Sequence, residues 1–251
     1  QLTMPAILEG DRDDTPDASW YIHWDLPEPR TSWLQQSNTL RSLTQSYLAC
    51  VSFVDSQVGR VIEAVERSPW ADNTIIVLWS DHGYHMGEKA ISGNNPLWNQ
   101  STRVPLIFAG PGIPSDQHCD QPVELLDIYP TLVEWLGLPE KADLEGISLV
   151  PQFRDVSTSR QRPAICTHNR GNHSVVDQRW RYIRYVDGSE ELYDRVADPN
   201  EHVNLLHGES VHPRHRSAAD QLGHWLPKQE RPPAPRSAHR VLEQRTDGYY
   251  W

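Results

Sequence analysis

The amino-acid sequence predicts an α/β fold, a sheet with flanking helices, followed by a small C-terminal antiparallel α+β subdomain. Three observations carry that prediction. The apolar, β-branched run 74–79 breaks at once into Ser80-Asp81-His82-Gly83, and such a run bounded by turn signals reads as a buried strand. A long helical period precedes it, and a strand and a helix follow it, which is the alternation of an α/β sheet. Beyond Pro151 the pattern changes to short strand-like segments joined by turns.

Residues 1–37 are irregular by composition. Asp11, Asp13, Asp14 and Asp17 cluster around Pro16, and Trp20, Tyr21, Trp24 and Trp33 make the stretch too aromatic for a free tail. It reads as a loop lying over a surface, its aspartates either solvated or, in a sharper reading, holding a metal. Asn38 or Thr39 can cap a helix in which Tyr47, Leu48, Val51, Val54, Val58, Val61, Ile62 and Val65 recur at steps of three and four, with Ser68-Pro69 as its stop. After the strand at 74–79, residues 84–100 show no clean period and read as an active-site loop. A second buried strand, 104–108, is closed by Gly110-Pro111-Gly112. A helix over 125–136 is entered near Asp127 and stopped by Gly137.

In the last part, 163–167, His173–Val176, 180–185 and 191–193 have strand composition, and Asp187-Gly188 is a hairpin turn. Asp198-Pro199 is a turn and 218–225 a short helix. From Gln229 onward, Pro232, Pro233 and Pro235 predict a flexible arm. The expected units are therefore 1–37, 38–150, 151–228 and 229–251.

With 251 residues the chain can bury a sizeable core. Its net charge is −11, from 23 Lys+Arg against 34 Asp+Glu. A net acidic surface disfavours nucleic acid and anionic membranes as partners, and a site for anions then needs local positive charge or a metal. No apolar run approaches the length of a membrane span. Cys50, Cys119 and Cys166 are too few, and odd in number, for a disulfide framework. The chain opens on Gln1 without a charged-then-apolar leader, as a mature product or a piece of something longer does.

The candidate chemistry sits at Asp81 and His82. Open α/β sheets place ligands beyond the carboxyl ends of their strands. A carboxylate and an imidazole side by side can share one metal ion, or one can orient the other for proton transfer. Alternatively, Asp81 satisfies the donors of a turn and His82 is incidental.

Several segments in this order and spacing resemble a known family. They are 48–61 around Asp55, Ser80-Asp-His-Gly-Tyr-His-Met-Gly-Glu-Lys89, Leu97-Trp98 through Ser101-Thr-Arg-Val-Pro105 to Gly112, Asp127-Ile-Tyr-Pro-Thr-Leu132, Gly137-Leu-Pro139 and Gly146-Ile-Ser-Leu-Val-Pro151. His168-Asn-Arg-Gly-Asn-His173, Trp180-Arg-Tyr-Ile-Arg-Tyr185, Gly188-Ser-Glu-Glu-Leu-Tyr-Asp194, Asp198-Pro-Asn-Glu201 and Asn204-Leu205 continue the series. Together they resemble the second half of a type I sulfatase, of the bacterial iduronate-2-sulfatase-like or choline-sulfatase-like kind. The match runs from about residue 47 to about residue 227.

The resemblance implies an alkaline-phosphatase-like sheet with flanking helices, present in part, and a smaller antiparallel subdomain. It implies hydrolysis of a sulfate ester by a formylglycine hydrate beside a divalent cation, usually Ca2+. It carries metal-ligand roles onto Asp81 and His82. Calcium prefers oxygen, so Asp81 is the firmer ligand and His82 can instead hydrogen-bond the substrate. His85 and Lys89 can supply positive charge near the sulfate. His168, Arg170, Asn172 and His173 are candidate contacts to the rest of a sulfated glycan or small molecule, Arg170 through its bidentate fork. Related enzymes are often exported, which points to the periplasm or the extracellular space.

Two departures qualify that expectation. The family's nucleophile motif, Cys or Ser followed at fixed spacing by Pro or Ala and Arg, is absent. Cys166-Thr-His-Asn-Arg170 has the outer spacing but His168 in its middle, and it lies in the small subdomain. The paired N-terminal metal aspartates are not identifiable either, since Asp13-Asp14 precedes the long helix. The economical expectation is the C-terminal half of an enzyme, its first half missing or another chain, and inactive alone. Second, counting back from Pro105 to the family's sulfate-gripping lysine gives Asn94, which offers a neutral hydrogen bond about half as strong as a charge-assisted one. The alternatives are a phosphoester or phosphonate hydrolase relative, or a non-catalytic glycan-binding protein. The sequons at Asn99-Gln-Ser101 and Asn172-His-Ser174 read as coincidence.

Overall fold

The computed structural model describes residues 2–24, 30–228, 243–245 and 248–250. Two helices, α1 (Ala18–Trp24) and α2 (Thr31–Gln36), stand in the N-terminal stretch that composition left irregular. Their cause is tertiary. Ala18 and Ile22 pack in one cluster with Trp98, Ile183 and Tyr185, and short helices are stabilised mainly by such packing.

The expected long helix is α3 (Leu40–Glu66). Its start differs from the expectation: Thr39 is already in helical conformation and its side chain makes no cap bond, while Asn38 takes φ +55°. Only Leu40 and Thr44 of α3 are buried. Strand β1 (Ile76–Trp79) follows, then a two-residue hairpin of β2 (His85–Met86) and β3 (Ser92–Gly93), the single-turn helix α4 (Asn99–Thr102), and β4 (Leu106–Ala109). β1 pairs antiparallel with β4 alone among the described residues, Ile76 opposite Ala109 and Trp79 opposite Leu106. Both strands were expected to be buried and neither is: Trp79 is 51% and Ile107 52% exposed. A two-stranded ribbon has too few neighbours to cover both of its faces. Phe108 does find Phe153 at 5.0 Å, and Phe153 in turn finds Trp135 at 5.5 Å.

A helical turn at Leu125–Asp127 leads into α5 (Ile128–Trp135), and α6 (Val150–Arg154) follows. Gly137 ends this region at φ +61°, as a helix stop should. The next strands are β5 (Ala164–Thr167), β6 (His173–Val176), β7 (Trp180–Arg184) and β8 (Glu190–Asp194), an antiparallel sheet in sequence order. Helix α7 (Pro213–Gly223) lies against it, with Ala218, Ala219 and Leu222 packed on Val175, Tyr182 and Leu192. α7 starts earlier than its apolar residues suggested, because His212 Nδ1 accepts from Arg214 N at 3.1 Å and Pro213 takes the first helical position. Strands β9 (Glu243–Arg245) and β10 (Gly248–Tyr250) pair antiparallel. The rest of the arm predicted from Gln229 lies outside the described residues. No helix among the described residues is long and apolar enough to cross a membrane.

One arginine ties the two regions together. Arg181, almost wholly buried on β7, donates to Leu97 O at 3.0 Å, to Thr102 Oγ1 at 2.9 Å and to Ser174 Oγ at 2.9 Å, and pairs with Glu201.

Candidate active site

The chain leaves β1 in a tight, self-bonded turn. Ser80 Oγ donates to His82 O at 2.9 Å, and His82 N donates to Asp81 Oδ1 at 3.0 Å. Gly83 is required where it stands: a Cβ there would lie 1.9 Å from Gln100 O. Gly83 N donates to Ser101 O at 2.8 Å, so the turn is clamped between the strand end and α4.

His82 Nδ1 lies 3.0 Å from Gly83 O. A carbonyl only accepts, so in that contact Nδ1 is the donor. Asn94 Nδ2 lies 2.7 Å from Nε2, and Asp81 Oδ2 lies 3.6 Å from it. Asp81, His82 and Asn94 therefore share one ledge. It is an open one, with side-chain exposure of 81% at Asp81 and 47% at His82.

His85 and Lys89 are behind the ledge rather than on it. His85 is buried, its Nδ1 2.8 Å from Ser101 Oγ and its ring edge-on to Trp98. Lys89 is 1% exposed and its Nζ donates to Asp11 Oδ1 at 2.9 Å and to Asp11 O at 3.0 Å. The charge expected near a sulfate is thus neutralised by Asp11. The reading of the four aspartates as a solvated loop is corrected for two of them, because Asp11 is buried and Asp14 Oδ2 accepts from Asn204 N at 2.6 Å, while Asp13 and Asp17 are exposed as expected. The aromatic density beside those aspartates was the signal: Arg12 stacks 3.5 Å from the Trp20 ring, and burial lowers its pKa to about 10. Glu191, which sequence reasoning passed over, is wholly buried and accepts from Trp98 Nε1 at 2.7 Å and Tyr185 OH at 2.6 Å. Burial pushes its carboxyl above the ordinary range, against the pull of those bonds.

The loop between β5 and β6 holds the other candidates. Asn172 braces it from within: Nδ2 donates to His168 O at 3.1 Å and Oδ1 accepts from Val186 N at 3.1 Å. His173 is buried with Nδ1 2.9 Å from Thr167 Oγ1. Asn172 and His173 therefore shape the loop, while Arg170 is exposed on it and His168 half-buried. Desolvation holds His168 below the ordinary imidazole pKa, partly offset by a backbone bond with Ile22.

Among the described residues no group of three or more His, Cys, Asp or Glu side chains could hold a metal ion. Calcium takes about six to eight oxygen ligands. Asp81 and His82 fit one edge of a cation site and fall short of a complete one.

Residues 9–138 match the family described as sulfatase, and residues 87–226 match N-sulphoglucosamine sulphohydrolase, C-terminal. The chain belongs to the sulfatase family. This sulfatase chain is 44% identical over 228 residues to a sulfatase of Formosa agariphila, a stretch covering 90% of this chain and 44% of that protein. It is 34% identical over 167 residues to a Δ4,5-hexuronate-2-O-sulfatase of Bacteroides thetaiotaomicron, over 61% of this chain and 34% of that one. A solved 2-O GAG sulfatase superposes with a TM-score of 0.72 at 25% identity, over 90% of this chain and 52% of its own. The fold is alkaline-phosphatase-like. The sulfatase chain spans less than half the length of these curated relatives.

Proposed function

We propose that this sulfatase chain is the cation-side part of a sulfuric ester hydrolase whose catalytic centre is completed by groups outside it. One observation carries the reading. Asp81 Oδ2 and His82 Nε2 stand 3.6 Å apart, open to solvent, at the carboxyl end of a strand. A divalent cation, calcium by the chemistry of the carboxylate, supplies a fixed positive charge for the oxygens of a sulfate ester. Asp81 offers that cation a carboxylate oxygen. His82, with Nδ1–H held by Gly83, presents Nε2 either to the cation or to a substrate N–H or O–H. Asn94 adds one neutral donor beside it, and Arg170 and His168 meet a second polar or anionic group of a sulfated carbohydrate. His85, Lys89, Asn172 and His173 act by holding these groups in place.

Calorimetric titration of the purified chain with CaCl2, beside Asp81→Ala, tests the ligand assignment. Weak binding, with Kd on the order of a millimolar as an incomplete shell implies, should vanish in the variant; binding untouched by the substitution overturns it. The chain alone should hydrolyse an aryl sulfate no faster than buffer. Turnover by the chain alone that is lost in Asp81→Ala would overturn its incompleteness.

A non-catalytic glycan-binding role is the second reading, favoured by Asn94 at the lysine position. Tight binding of a sulfated glycan without turnover in the completed protein supports it.

A further inference from the structure

The contact between Asn94 and His82 depends on residues far from it in the chain. Asn94 directly follows β3, and its Nδ2 stands 2.7 Å from His82 Nε2. Where Asn94 lands is set by the loop joining β2 to β3, and that loop has an unfavourable backbone. Gly87 takes φ +121°, then Lys89 and Ala90 take +54° and +53°. Two successive left-handed residues with side chains persist only where their surroundings hold them. Asp11 holds the first. Its Oδ2 accepts from Lys89 N at 3.0 Å, and its Oδ1 and main-chain oxygen accept from Lys89 Nζ at 2.9 and 3.0 Å. The same N-terminal stretch lies against Gly87, where a Cβ would come within 2.5 Å of Ile7 Cδ1. The brace is anchored on the C-terminal sheet. Asp14 O accepts from Asn204 Nδ2 at 2.9 Å, in addition to its carboxylate bond to Asn204 N, and Asn204 Oδ1 accepts from Leu192 N on β8 at 3.1 Å. His202 Nδ1 donates to Asp11 Oδ1 at 3.0 Å.

We propose that Asp11 is a positioning residue for the ester-binding ledge: it holds Lys89 in the left-handed conformation and so places Asn94 against His82. Neutralising the buried ammonium uses only the contacts to Nζ. The bond from Lys89 N fixes the backbone, and it is this bond that carries the positioning. Without it Lys89 returns to an ordinary conformation, β3 shifts, and Asn94 leaves His82. The two roles separate by chemistry. Glycine enters the left-handed region without steric cost, so Lys89→Gly removes both the stranded charge and the need for a brace. Lys89→Met removes the charge alone. That the ledge meets a sulfate ester rests on the proposed function; the placement of Asn94 by Asp11 does not need it.

The experiment is done on the 251-residue chain, labelled with 15N and free of calcium. The side-chain amide signals of Asn94, identified by their loss in Asn94→Asp, report its contact with His82, and backbone amide exchange reports on residues 91–94. In Asp11→Ala the Asn94 signals should move to the position of a solvated carboxamide, and exchange at 91–94 should speed at least tenfold. Asp11→Ala/Lys89→Gly should restore the parent signals, whereas Asp11→Ala/Lys89→Met should recover thermal stability and leave Asn94 displaced. Val175→Ala, a core truncation in β6 away from the brace, should lower the melting temperature without moving Asn94. Asn94 unmoved in Asp11→Ala, equal recovery by Gly and Met, or an equal displacement in Val175→Ala overturns the proposal. Neither double variant strands a buried charge, so their comparison decides the matter even if Asp11→Ala does not fold. Failure of CaCl2 to bind at Asp81 would overturn the proposed function and leave these signals, and the role of Asp11, as they are.

Discussion

The C-terminal sheet and the β1–β4 ribbon are made of similar apolar strands and end in opposite states. Val175, Ile183, Leu192 and Tyr193 are fully buried, whereas Leu78, Trp79 and Ile107 are open to solvent. The difference lies in the layers around them. β6, β7 and β8 receive α7 on one side and Trp98 with its neighbours on the other, all from this chain. β1 has a single partner strand. Strand composition states what surface a segment needs, and burial depends on whether a covering layer is packed against it.

Substitutions on the two sides should therefore differ steeply. The largest loss is expected where a buried charge is stranded. Asp11→Asn leaves Lys89 without its carboxylate, at about 3–5 kcal/mol, and thermal unfolding should fall by roughly 2–4 °C per kcal/mol in a chain of this size. Adding Lys89→Met should recover much of it, and a melting temperature unmoved by Asp11→Asn would break the account of that pair. Leu192→Ala, in the closed sheet, should cost about 2–5 kcal/mol by denaturant titration. Gly83→Ala must push the turn off Gln100 O and should cost about 1–3 kcal/mol while weakening the Ca2+ binding proposed at Asp81. Val54→Ala, on the open side, should stay within about 0.5 kcal/mol of the parent. A loss there as large as at Leu192 would erase the contrast.

The smallest effect is one of pH. Burial holds His168 neutral in the folded chain, so the unfolded chain takes up the proton first. Stability present above about pH 6.5 is lost as pH falls through the lower folded value. Melts between pH 7.5 and 5.0 should decline less steeply in His168→Gln.

The strongly periodic parts of this fold were legible in the sequence. α3 and the strands β6 to β8 follow from apolar spacing, and the turn at Asp187-Gly188 from residues that accept its geometry. α1 and the Asp11–Lys89 pair were not, because they rest on contacts between residues far apart in the chain, 78 positions for the pair, that no local window contains. At the site, Asp81 and His82 could be placed by their position just past a strand. The approach of Asn94 to His82 could not, since it depends on how the β2–β3 hairpin folds back, and the openness of the ledge shows only once the strands around it are counted.

Hydrogen exchange along the native chain tests the contrast most directly. Amides of β6 to β8 should open only with global unfolding, and those of β1 and the middle of α3 at least about a hundredfold faster. Equal protection in the two regions, in the chain by itself, would contradict the account.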